Sequence, residues 1–106
     1  MPQNKEEGTM AINRMQQLDI IAYMTATSGS ERRYFGPDGE VSRTCKVLTV
    51  PVAIVCSDDT CTEVELFEDG TMEINGWDGT EGLGDVVEKY SDEEISTLFD
   101  AMCCMV

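Results

Sequence analysis

Residues 62–75 read Thr62-Glu63-Val64-Glu65-Leu66-Phe67-Glu68-Asp69-Gly70-Thr71-Met72-Glu73-Ile74-Asn75. Two short runs of apolar–polar alternation flank an acidic Asp-Gly, the pattern of half-buried strands joined by a tight turn. Val64, Leu66, Met72 and Ile74 form the apolar set, and Glu63, Glu65, Glu73 and Asn75 the polar one. Residues directly opposite in an antiparallel pair share a face, so the length of the turn decides whether the sets match. A two-residue Asp69-Gly70 turn sets Leu66 against Glu73. A three-residue loop, Glu68-Asp69-Gly70 with Gly70 in the left-handed conformation of a G1 bulge, sets Leu66 opposite Met72, Val64 opposite Ile74 and Glu65 opposite Glu73. The odd loop is therefore expected.

Upstream, Cys45 to Cys56 has Leu48, Val50, Val52 and Ile54 on one parity and Val47, Ala53 and Val55 on the other, which predicts a strand covered on both faces. Pro51 cannot donate to a ladder and belongs beside an edge or bulge. Gly36-Pro37-Asp38-Gly39 is a hairpin signal that gathers Arg32, Arg33 and Arg43 locally. Before it, Ala11, Met15, Leu18, Ala22 and Ala26 recur at helical spacing and predict a helix from about Thr9 to Ala26, ended by Ser28-Gly29-Ser30. Ile12, Ile20 and Tyr23 lie off that stripe.

Downstream, Asp78 to Gly84 reads as a loop and Asp85 to Tyr90 as a short helical stretch. Ser91 and Glu94 form a capping box ahead of a helix with Ile95, Leu98, Phe99, Met102 and Val106 on one stripe. The expected fold is α+β: an N-terminal helix, an antiparallel meander of three or four strands, and a C-terminal helix packed on the sheet. Residues 1–8 read as a flexible tail and residues 9–106 as a single domain.

Charge is distributed unevenly. The chain has 21 acids, seven bases and no His, for a net charge of −14. Residues 1–46 hold six acids and six bases, whereas the other 15 acids share residues 47–106 with Lys89 alone. Such a surface repels polyphosphate and anionic membranes. The absence of His removes most acid–base, His-activated nucleophile and His-ligated metal chemistry. No apolar run is long enough for a transmembrane helix, and the start of the chain lacks a signal peptide's apolar stretch, so a cytoplasmic protein is expected.

The five cysteines, Cys45, Cys56, Cys61, Cys103 and Cys104, are read as reduced thiols. Parity sends Cys56 and Cys61 to opposite faces, and the spacing of 56, 61, 103 and 104 matches no usual zinc pattern. Asn75, Asp78, Glu81 and Asp85 offer oxygens but not the spacing of an EF-hand. No metal, cofactor or catalytic centre is expected.

The acidic surface itself remains. Glu63, Glu65 and Glu73 are expected on the outer face of the hairpin, with Asp58, Asp59, Glu68 and Asp69 at its two ends. Opposed Glu65 and Glu73 repel, at roughly a few tenths of a kcal/mol, and a basic partner would relieve the repulsion. The leading expectation is a small acidic non-enzymatic protein, monomer or homodimer, that occupies a basic, nucleic-acid-binding surface of a larger protein such as a nuclease. In size and charge alone the chain resembles small phage-encoded inhibitors of restriction or CRISPR nucleases. The alternative is an accessory subunit of a multiprotein assembly, bound through Ile12, Ile20 and Tyr23.

Overall fold

The computed structural model describes residues 12–54, 60–76 and 85–105. The tail of residues 1–8, Ala11, Val55, Cys56, Asp58, Asp59, the loop from Asp78 to Gly84 and Val106 lie outside the described residues.

Among the described residues the first helix, α1 (Arg14–Ser28), is capped by Asn13, and the part of the expected helix from Thr9 to Ala11 lies outside them. The Asn13 side chain accepts the Gln16 N–H at 2.9 Å while the Gln16 side chain accepts the Asn13 N–H at 2.9 Å, a reciprocal cap. The buried face of α1 is centred on Ile21 and Thr25, with Leu18, Ala22 and Met24 packed against the core. This corrects the expected stripe, because Met15 is 71% exposed and Ala26 is exposed too. Thr25 can take a core position because its hydroxyl donates to the Ile21 carbonyl at 2.8 Å, leaving its methyl for packing.

Gly29 ends α1 in an extended conformation, φ −75°. A Cβ there would lie 2.4 Å from the Thr25 carbonyl oxygen and 2.9 Å from that of Val47, so the close approach of helix and sheet demands glycine. The chain continues into β1 (Ser30–Phe35) and, through the expected Gly36-Pro37-Asp38-Gly39 turn, into β2 (Val41–Val50). Gly39 supplies the positive φ, 85°. The strand expected from Cys45 to Cys56 instead starts at Val41 and stops at Val50. Pro51 has no N–H for the ladder, and the Val52 N–H turns back to the Val50 carbonyl at 2.8 Å.

Strands β3 (Thr62–Phe67) and β4 (Met72–Gly76) pair as parity requires: Leu66 with Met72, Glu65 with Glu73, Val64 with Ile74. The loop is the three-residue form. Gly70 has φ 91°, its N–H donates to the Phe67 carbonyl at 2.9 Å, and the Phe67 N–H donates to Thr71 across the bulge at 2.8 Å. Asp85–Val86, expected to open a helical stretch, is instead a fifth strand, β5, paired with β4, and a 3-10 turn follows at Val87–Lys89. The second helix, α2 (Asp92–Cys103), starts with the Ser91–Glu94 capping box, in bonds of 2.8 and 3.1 Å.

The described elements form one antiparallel meander in the order β1-β2-β3-β4-β5, with α1 and α2 on one face. The fold is α+β as expected, with two more residues of strand at its far edge. Ile21 of α1 and Ile95, Leu98 and Met102 of α2 meet Val50, Val64 and Ile74 of the sheet with no exposure. The helices are tied side by side by Arg14 to Asp92 at 3.1 Å and Ser96 to Gln17 at 3.2 Å. No helix among the described residues is long and apolar enough to cross a membrane.

Gly29→Ala forces backbone apart at the α1–β2 approach and is expected to cost about 1–3 kcal/mol of stability in urea unfolding. Ser91→Ala, which removes only a cap, should cost about 1 kcal/mol.

Candidate functional site

The face of the sheet opposite the helices carries the polar set, and it is covered. Arg32 in β1 stands directly across from Cys45 in β2, which in turn faces Phe67 in β3. The small thiol leaves room for the guanidinium to cross β2 and reach β3. There Arg32 grips Glu63 with two bonds of 2.9 Å and touches Glu65 at 3.1 Å. A fork against a carboxylate is the strong geometry for this pair.

Glu65 has further donors. Its Oε2 accepts the Tyr34 hydroxyl and the Cys45 thiol, the latter at 3.8 Å, and its Oε1 accepts the Asn75 side-chain amide. With these partners Glu65 is 1% and Glu63 6% exposed. The expectation that Glu63 and Glu65 face solvent as part of a carboxylate row is therefore corrected. Parity is right, since they do share the outer face with Glu73, but a strand further along the sheet brings its own cation over them. Glu73 is half-buried and pairs with Arg43 at 3.5 Å, and the Arg43 guanidinium lies 3.6 Å over the Phe67 ring. The Tyr34 ring stacks against Phe67, with centroids 6.2 Å apart. The repulsion between Glu65 and Glu73 is thus relieved inside the chain.

The environment tunes the neighbours of Glu65. The hydrogen bonds to Glu63 hold Arg32 charged well beyond its ordinary value. Burial, then the bond to Glu65, pushes the Tyr34 hydroxyl up to about 12. Burial, then the Glu65 charge, pushes the Cys45 thiol up to about 11, which keeps it a protonated donor and a poor nucleophile.

Other carboxylates stay in water. Glu68 and Asp69 are exposed at the β3–β4 turn, where the Thr71 N–H bond to Asp69 at 2.9 Å lowers the Asp69 pKa. Glu73 is level with Val86, so the chain leaves β5 toward that turn, and the exposed Glu88, Asp92 and Glu93 follow within a few residues. Exposed carboxylates thus occur both at that turn and after β5. Asp58 and Asp59, expected at the opposite end, fall outside the described residues.

The off-stripe residues of α1 are at the surface. Tyr23 is 70% exposed, Ile12 and Ile20 are also exposed, and Met15 joins them. Among the described residues, no group of His, Cys, Asp and Glu is arranged to hold a metal ion, and Cys45, Cys61, Cys103 and Cys104 are free.

Sequence reasoning missed Arg32, Tyr34, Arg43 and Asn75 as partners of the glutamates. One signal was present: the bases concentrate before residue 47 and the acids after it, so pairing between the two parts was available. Comparison with protein-family models, with curated proteins and with solved structures finds no match.

Arg32→Met leaves two buried carboxylates without their cation. The expected loss is about 2–4 kcal/mol in chemical unfolding, below that for a fully buried pair because a third of the Arg32 side chain stays in water. Tyr34 and Cys45 ionise near 10 and 9 when unfolded and only near 12 and 11 when folded. Their stabilisation is complete below about pH 9 and disappears as pH rises through 11 to 12. The thermal midpoint should fall across that window, and Tyr34→Phe together with Cys45→Ala should flatten the fall.

Proposed function

We propose that this chain is a non-enzymatic binding protein that sets its acidic surface against a basic, nucleic-acid-binding surface of a larger protein, in the manner of an anti-restriction or anti-CRISPR inhibitor acting in the cytoplasm. One observation carries the reading. All four arginines are already engaged by the chain's own carboxylates, in the pairs Arg14–Asp92, Arg32–Glu63 and Glu65, Arg33–Glu31 and Arg43–Glu73. The net charge of −14 survives this pairing, and the exposed Glu68, Asp69, Glu88 and Glu93, none of them members of those pairs, present part of it. Those residues, rather than Glu63 and Glu65, are the contacts assigned to the partner. Charge matching of this kind acts mainly on encounter and is screened by salt.

A second reading has its own support. Ile12, just ahead of α1, and Met15, Ile20 and Tyr23 within it are exposed apolar residues, the feature an accessory subunit would use to join an assembly.

Proteins retained on the immobilised chain at about 50 mM salt should be displaced by duplex DNA and released at about 500 mM, where the screening length is about threefold shorter. Glu68→Gln, Glu88→Gln and Glu93→Gln together should weaken retention about tenfold, at roughly half a kcal/mol for each rim charge, with the unfolding midpoint unchanged. Retention indifferent to DNA, salt and the triple variant removes the charge-matching reading. Retention lost with Tyr23→Ala alone selects the subunit reading.

A further inference from the structure

Strand β1 ends the sheet, and among the described residues no strand lies on its outer edge. An edge of this kind is usually blunted by charged side chains, proline or a bulge, because its unpaired backbone groups template pairing with another chain. β1 has no Lys or Pro, and the irregularity near its end places the extra residue on β2, where Tyr34 pairs with Arg43 and Phe35 with Val41. Its charges do not repel a copy of themselves. Arg32 is drawn across β2 onto Glu63 and Glu65, leaving Glu31 and Arg33 exposed side by side on the face that bears the helices, 3.2 Å apart.

We propose that β1 pairs antiparallel with β1 of a second copy, centred on Arg32, so that Glu31 of each copy lies opposite Arg33 of the other. The register follows from symmetry. A two-fold pair that keeps each face continuous must be centred on a residue, with neighbours at equal distances on either side placed opposite each other. Centring on Glu31 opposes Glu31 to itself, and centring on Arg33 opposes Arg33 to itself. Centring on Arg32 makes two reciprocal ion pairs, and the facing Arg32 side chains are each neutralised within their own chain.

The charge of the whole chain does not forbid this pairing. Two chains of charge −14 repel, but β1 belongs to residues 1–46, in which six acids and six bases cancel. Distant charge is screened beyond about 8 Å at physiological salt.

Sedimentation of the full chain at physiological salt and micromolar to millimolar concentration should show a monomer–dimer equilibrium. Glu31→Arg and Arg33→Glu should each weaken self-association at least tenfold with circular dichroism and thermal midpoint unchanged. The first variant then carries arginine, and the second glutamate, at both positions, so an equimolar mixture should form heterodimers, and the double swap E31R/R33E should restore self-association. A wild-type chain that stays monomeric throughout, single variants that dimerise as before, or a mixture that does not associate overturns the proposal. A monomeric wild-type chain that accepts a foreign strand peptide at this edge overturns the assignment to a second copy.

Discussion

Two glutamates on one face of a small sheet, withdrawn from water and held by a single arginine, set the terms for the rest of this structure. Desolvating carboxylates costs several kcal/mol each unless a cation and hydrogen-bond donors replace the lost water. Arg32 supplies the cation, and Tyr34, Asn75 and Cys45 supply donors to Glu65. This requires β1 to lie beside β2 and β2 beside β3, with a small residue at position 45 so that the guanidinium can cross. The ion pairs thus help to specify strand order, while the helix-side core supplies the apolar burial that any order of these strands would share.

The sheet consequently has two interiors of different character. Helices α1 and α2 close the apolar one, and their reciprocal caps at Asn13 and Ser91 fix where each begins. The other is a thin layer in which Cys45, Val47 and Phe67 lie beneath the Arg32, Tyr34 and Arg43 side chains. Long side chains cover apolar surface with their stems while their charged heads meet carboxylates, so this face is buried without a third layer of secondary structure.

Pairing also shapes what the protein presents outward. The arginines are used inside the chain, so the surface is left with carboxylates that its own bases cannot balance. The proposed binding to a basic surface and the proposed self-pairing through β1 would draw on different parts of the molecule: the first on the acids after Lys46, the second on the balanced residues before it.

Local periodicity and parity by themselves determined much of the fold. They identify both helices, the β1–β2 and β3–β4 hairpins, the three-residue loop at Glu68-Asp69-Gly70 and the pairing of Leu66 with Met72, because strand alternation requires an odd loop to match the faces. Local signals failed where a neighbour changed the meaning of a residue. Thr25 reads as polar but is buried through its bond to Ile21, and Asp85–Val86 reads as helical but is captured by the edge of β4. Glu63 and Glu65 show the limit most plainly, since their shared face is legible in the alternation but their burial is not. Which face a strand residue occupies is set by its own backbone geometry, whereas whether that face is wet depends on a side chain two strands away, brought there only when the sheet assembles.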